Sequence, residues 1–118
     1  MESDRFLLRD AANAAGIPTE WSHKCGCPLR LDCLGTVPWN PIDDNRDAFE
    51  LSVQLKLSVQ VHYDVSQPLP WLRVVHRQPG GGERWVHVSP QEYAAGPLAA
   101  TRRGIVTAAA EVGRLVPS

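Results

Sequence analysis

The feature that most constrains the fold is a change of hydrophobic period near the middle of the chain. Residues 44–56 repeat apolar side chains at helical spacing, and residues 58–65 then alternate apolar and polar side chains. The first pattern predicts an amphipathic helix and the second a half-buried strand. Apolar residues of the helical stripe are Ala48, Leu51 and Leu55, widened by Phe49 and Val53.

Three consecutive strands are predicted after this helix. Val59, Val61, Tyr63 and Val65 share one face of the first, and Gln60, His62 and Asp64 share the other. The segments WLRVVHR and RWVHVS flank the glycine-rich QPGGGE, which predicts a hairpin. A turn centred on Gly80 and Gly81 pairs Val75 with Val86 and Arg77 with Arg84. This register directs Val75, Val86 and Val88 inward, and Val74, His76, Trp85 and His87 outward.

Weaker signals mark the remaining elements. A first helix is predicted from a cap at Ser3 to a stop at Gly16, and a small hairpin over residues 20–24 and 29–34. Thr101 is predicted to cap a last helix that buries Ile105, Ala108, Ala109, Val112 and Leu115. The order is helix, two strands, helix, three strands, helix. It predicts an α+β fold, with a three-stranded antiparallel meander covered by helices on one face.

Composition limits the classes of function. The 118 residues, 43% of them hydrophobic, suit a single domain over residues 1–118. The 12 basic and 13 acidic side chains give a net charge of −1, which does not favour a polyanion or a membrane as partner. No apolar run approaches the roughly 18 residues that span a bilayer. The start MESDRFLLRDAA lacks the pattern of a signal peptide, so we expect a cytoplasmic protein.

A cysteine-rich segment offers four metal-ligand side chains, His23, Cys25, Cys27 and Cys33. Structural zinc sites usually pair cysteines two to four residues apart, with a second pair further along the chain, and this segment lacks that spacing. We therefore favour reduced thiols over a metal site, consistent with an odd cysteine count.

Catalytic signatures are absent from the sequence. There is no GxSxG motif and no phosphate-binding loop, and the glycines at 80–82 lie in a hairpin where they permit a turn. The histidines His62, His76 and His87 are predicted to share the outer sheet face. They are either solvated there or able to hold a metal ion. We predict a protein that is not an enzyme and needs no cofactor.

The segment WNPIDDNRDAFELSVQLKL combines an aromatic turn with a capped helix. Asp43 or Asp44 is predicted to cap the helix, with Asp47 in its first turn. The alternative for these carboxylates is a divalent ion or acid–base chemistry, and capping accounts for them more simply.

This segment also carries a family resemblance. Together with the Ala-rich start and the closing TRRGIVTAAAEVGRL, it resembles small phage and prophage proteins of unknown function, including the NinX-type proteins of lambdoid phages. The resemblance implies a phage accessory protein made in the bacterial cytoplasm and supplies no chemistry. The matching residues are Trp39, Asn40, Pro41, Asp43, Asp44, Asp47, Ala48, Leu51 and Leu55, then Arg103, Ile105, Ala108, Ala109 and Ala110.

Small phage accessory proteins often act by binding a host protein, so an interaction module is the first hypothesis for function. Its predicted surface combines the turn at residues 39–44 with the tryptophans Trp21, Trp71 and Trp85 and the outer-face histidines, because tryptophan is enriched at binding hot spots. Residues predicted to bind a host or phage protein are Trp39, Asn40, Pro41, Asp43, Asp44, His62, His76, Trp85 and His87.

Nucleic-acid binding is the alternative. Helix, three antiparallel strands and helix resemble the element order of double-stranded RNA-binding domains, with Arg102 and Arg103 near the start of the last helix. The near-neutral charge argues against it. Gly104, Ala108 and Ala109 permit close packing of the last helix, either on the sheet or across a homodimer interface.

Overall fold

The computed structural model describes residues 4–32, 35–63, 65–66, 69–78 and 81–115. Helices and antiparallel strands alternate in blocks along this part of the chain, which confirms the α+β fold. In chain order the elements are α1 (Asp4–Ala15), β1 (Thr19–Ser22), β2 (Cys27–Asp32), β3 (Gly35–Pro38), α2 (Asn45–Gln54), β4 (Ser58–His62), β5 (Trp71–Arg77), β6 (Glu83–Val88), α3 (Pro90–Ala95) and α4 (Pro97–Leu115).

Helix α1 ends as the sequence predicts. Gly16 adopts a left-handed conformation with φ of 67°. Its N–H donates to the Asn13 carbonyl, and the Ile17 N–H donates to the Ala12 carbonyl. These two bonds satisfy carbonyls that the last helical turn leaves free. The predicted cap at Ser3 lies outside the described residues.

Helix α2 begins at the predicted cap. The Asp44 side chain accepts a hydrogen bond from the Asp47 N–H at 2.9 Å. The helix ends at Gln54, two residues before the predicted end, because Lys56 turns into the left-handed region with φ of 55°.

The sheet β4–β5–β6 is the predicted meander, but its hairpin register differs by one residue from the prediction. Val74 pairs with Val86, and Arg77 pairs with Glu83. In the loop before β6, Gly81 and Gly82 have positive φ. Side chains alternate between the two faces of a strand, so a shift of one residue exchanges the two faces of β5 relative to the prediction. Val74 and His76 point towards α4, and Val75 points to the opposite face.

Helix α4 organises the core. It contacts β5 and β6 on one side and α1 on the other. Gly104 lets it approach the sheet, since an added Cβ would lie 3.1 Å from Val88 Cγ2 and 3.2 Å from Val74 Cγ2. Ala108 and Ala109 are completely buried in the same core, so the small residues serve packing within the chain.

Two features extend the predicted order. A third strand, β3, pairs with β2 in a separate sheet β1–β2–β3, whose first two strands form the predicted small hairpin. Helix α4 begins at Pro97, so the predicted cap at Thr101 is wrong: its Oγ1 donates to the Pro97 carbonyl inside the helix. A short helix α3, capped by Ser89, precedes it.

Among the described residues, no helix combines the length and the apolar character needed to span a bilayer.

Candidate functional site

The outer face of the sheet β4–β5–β6 carries a cluster of aromatic, imidazole and guanidinium groups. The helix contacts of this sheet involve α4 and α3, and α4 covers the opposite face. The strand pairing places residues from all three strands side by side on the face opposite α4. We call this surface the open face, defined by His62, Trp71, Arg73, Trp85 and His87.

Ring contacts order the open face. The His62 ring stacks on the Trp71 indole, with centroids 4.4 Å apart and planes 15° apart. His87 approaches the same indole at 5.0 Å with a tilt of 38°. Contacts of this kind contribute about 0.5–1.5 kcal/mol per pair beyond the area they bury. The rings therefore hold one another in place before any partner arrives.

Trp85 is exposed on the open face. The residue is 56% exposed, although tryptophan is usually well covered in folded proteins. The Arg73 guanidinium lies over its ring, 5.3 Å from the centroid, and Arg73 Nε donates to Gln60 Oε1 at 2.7 Å. Gln60 thus orients the arginine, and the arginine orients the indole. The predicted outward positions of Trp85, His62 and His87 are confirmed.

His76 does not belong to the open face, which corrects the prediction for this residue. It is only 1% exposed and lies on the face covered by α4. Its Nε2 forms a hydrogen bond with Glu111 Oε2 at 2.9 Å. The one-residue slip in the hairpin register is the reason, because it exchanges the two faces of β5.

The prediction that Trp39 and Pro41 lie on a binding surface is also wrong. Trp39 is 2% exposed and belongs to the hydrophobic core, and Pro41 is fully buried. The Trp39 N–H donates to the Pro28 carbonyl at 2.9 Å, which anchors the turn to β2. Neither side chain can reach a partner in this fold.

The polar residues of that turn are engaged in local structure. Asn40 Nδ2 donates to Asp43 Oδ2 at 3.1 Å, and the Asn40 N–H donates to Asp47 Oδ2 at 3.0 Å. Partial burial raises the pKa of Asp47, and the Asn40 N–H opposes that rise. With Asp44 at the cap, these groups stabilise the start of α2. Asp44 therefore caps the helix as predicted, and Asp43 and Asp47 accept hydrogen bonds from Asn40.

Both arginines of the predicted nucleic-acid site contact other parts of the chain. Arg102 Nε donates to the Ile42 carbonyl at 2.7 Å, and its Nη1 donates to Asn45 Oδ1 at 2.6 Å. Arg103 Nη2 contacts Asp4 Oδ1 at 2.8 Å. These contacts tie α4 to α2 and α1, and nothing in their arrangement forms a phosphate-binding row.

The turn between β1 and β2 carries His23 and Cys25, both exposed, and leads into the buried Cys27. Cys33 lies outside the described residues. Burial, followed by the neighbouring Cys25, raises the pKa of the Cys27 thiol. Within the described ranges, no three His, Cys, Asp or Glu side chains converge in a group that could hold a metal ion.

Two members of the open-face arrangement, Arg73 and Gln60, were not predicted as site residues. The alternation of side chains along β4 places Gln60 and His62 on the same face, so the sequence pattern indicates the position of Gln60. The position of Arg73 follows from that of Trp71, two residues earlier on the same strand. The prediction missed it because the hairpin register was wrong by one residue.

Comparisons of the chain with protein-family models, with curated proteins and with solved structures found no match.

Proposed function

We propose that this chain is a phage- or prophage-encoded accessory protein of the bacterial cytoplasm that acts by binding a host or phage protein. The open face is the binding surface, and the protein performs no catalysis of its own. The phage origin rests on the resemblance of the segments around Trp39 and Arg103, and the mode of action rests on the open face.

The observation that carries the proposal is the exposed Trp85 under the Arg73 guanidinium, next to the Trp71 indole with its contacts to the His62 and His87 rings. Tryptophan and arginine are among the residues most enriched at binding hot spots, together with tyrosine. Rings already held by their neighbours lose little conformational entropy when a partner binds. A protein partner therefore gains apolar contact at Trp85 and a cation at Arg73 without the cost of ordering either group.

The test is affinity capture of partners from a bacterial host that expresses the chain, with Trp85→Ala compared directly to the wild type. We expect the wild type to retain a specific host or phage protein and Trp85→Ala to lose it. Removal of a hot-spot side chain typically costs at least about 2 kcal/mol, or roughly 30-fold in affinity. Purified partner and isothermal calorimetry would then measure the loss.

Tyr63→Ala is the matched control, because Tyr63 is an exposed aromatic that follows the end of β4 and does not belong to the open face. It should retain the partner, and both variants should keep the wild-type melting temperature. Partner retention by Trp85→Ala would contradict the proposal. A salt-sensitive gel shift of duplex RNA or DNA that Trp85→Ala abolishes would instead support nucleic-acid binding.

A further inference from the structure

A second surface lies on the opposite side of the sheet, where α2, β4 and the beginning of α4 meet. Helix α4 covers β5 and β6, and the apolar side chains of β4 on the same face stay partly exposed. The result is a groove of about 630 Å³. Its buried residues are Ala48 and Ile105, and exposed side chains of α2, β4 and α4 line it. We call it the apolar groove.

Large apolar side chains are exposed along the apolar groove. Phe49 and Val53 lie one turn apart on α2 and are 67% and 59% exposed, and Leu98 on α4 is 65% exposed. Val59 of β4 completes the lining. Single exposed apolar residues are common, but several on one concave surface mark an interaction site. The sequence places Phe49 and Val53 on the apolar stripe of α2, yet the fold leaves them in water.

The charges of the apolar groove are all of one sign. Lys56 and Arg102 are its charged residues, and no carboxylate lines it in the described part of the chain. Arg102 is held in place by the Ile42 carbonyl and the Asn45 side chain. The apolar groove thus offers an apolar surface with Lys56 and Arg102 beside it. Such a surface complements a ligand whose middle is apolar and whose margins carry carboxylates.

We infer that the apolar groove binds an acidic amphipathic helix of a protein partner. Such a helix would place apolar residues at helical spacing against Phe49, Val53 and Leu98, and carboxylates near Lys56 and Arg102. The volume accommodates several side chains, and two helices border it, as in helix-in-groove recognition. The inference does not depend on the open face, because the two surfaces share no residue.

The probe is a fluorescein-labelled peptide of about 16 residues, long enough for four helical turns. It carries leucine at helical spacing on one face and glutamate on the flanks, and its twin carries lysine in place of glutamate. Each is titrated with the full chain by fluorescence anisotropy at low salt. We expect the glutamate peptide to bind at least about tenfold more tightly than the lysine peptide, since both charged residues in the described lining of the groove are cations.

Variants of the chain locate the peptide. Phe49→Gln and Val53→Gln should each weaken binding at least about tenfold, since both side chains supply apolar contact. Lys56→Glu should reduce the preference for glutamate over lysine. Phe6→Gln is the matched control, because Phe6 is exposed on α1 outside the groove, and it should leave binding unchanged. All four positions are exposed, so each variant should fold as the wild type does.

Several results would overturn the inference. Equal affinity of the wild type and Phe49→Gln would place the peptide elsewhere, and equal affinity for a peptide with a central proline would exclude a bound helix. Binding of anionic vesicles without binding of the glutamate peptide would identify a lipid surface as the ligand. Self-association of the chain that Phe49→Gln abolishes would identify a second copy. Trp85→Ala should leave peptide binding intact, which separates this result from any failure of the open face.

Discussion

Replacing Gly113 by alanine tests the close approach of helices α1 and α4 near the end of α4. Gly113 lies in α4 where that helix meets α1. A Cβ at this position would overlap the Asp10 carbonyl oxygen and lie 2.9 Å from the Asp10 carbonyl carbon. Ordinary contacts between carbon and carbonyl oxygen are about 3.3–3.6 Å. Since the obstacle is backbone, no change of rotamer relieves it, and the helices must move apart.

Two opposing terms set the size of the effect. Glycine to alanine in a helix interior gains about 0.8–1 kcal/mol of intrinsic stability. Overpacking costs typically about 1–3 kcal/mol, and a backbone obstacle belongs at or above the upper end. Moving α1 and α4 apart also weakens the ion pair between Arg114 and Asp10, whose Nε and Oδ2 atoms are 3.0 Å apart. We expect a net loss of about 2 kcal/mol, equivalent to a melting temperature lower by roughly 10 °C.

Urea unfolding followed by circular dichroism measures this loss, with an unchanged m-value as the sign that only stability has changed. Gly104→Ala is the matched control in the same helix. Its Cβ would meet the side-chain methyl groups of Val88 and Val74 at 3.1 and 3.2 Å, and these can shift slightly. We expect its stability to stay within about 1 kcal/mol of the wild type. A Gly113→Ala chain as stable as the wild type would refute the close approach of α1 and α4.

Three further predictions follow from single side chains. Glu111→Ala should lower the free energy of unfolding by about 1–3 kcal/mol, because it leaves His76 Nε2 buried without its partner, and Glu111→Gln should cost less in the same urea assay. Iodoacetamide should alkylate the exposed Cys25 before Cys27, whose burial and raised pKa keep it a thiol; peptide mapping that finds the reverse order would contradict the structure. Asp47 has a raised pKa, so the folded state holds its proton more tightly than the unfolded state does. The wild type should therefore lose stability relative to Asp47→Asn as pH rises from about 3 towards neutrality, and a constant difference would contradict the shift.

Elements whose signals lie within a few residues were predictable from the sequence. The end of α1 depends on Gly16, and the start of α2 depends on Asp44, because each contacts groups no more than one helical turn away. The alternation of β4 likewise placed Gln60 and His62 on one face. These local interactions form in the same way in many tertiary contexts, so their sequence patterns are reliable.

Predictions that required exact pairing across the hairpin were less reliable. A shift of one residue between β5 and β6 moved His76 from the predicted outer face into the core and reversed Val74 and Val75. Loop length sets this register, and three successive glycines permit more than one turn. The open face was therefore predicted with one wrong histidine and without Arg73.

The α+β class, the positions of most helices and strands, and the outward direction of Trp85 are predictable from the amino-acid sequence, since they follow from period, capping and turn residues. Which apolar residues are covered depends instead on how the helices and strands pack together. Trp39 is buried because its turn packs against β2, and Phe49 stays in water because α4 lies over β5 and β6 and leaves the apolar groove open. Burial depends on which elements meet in space, and a period along the chain carries no information on that choice.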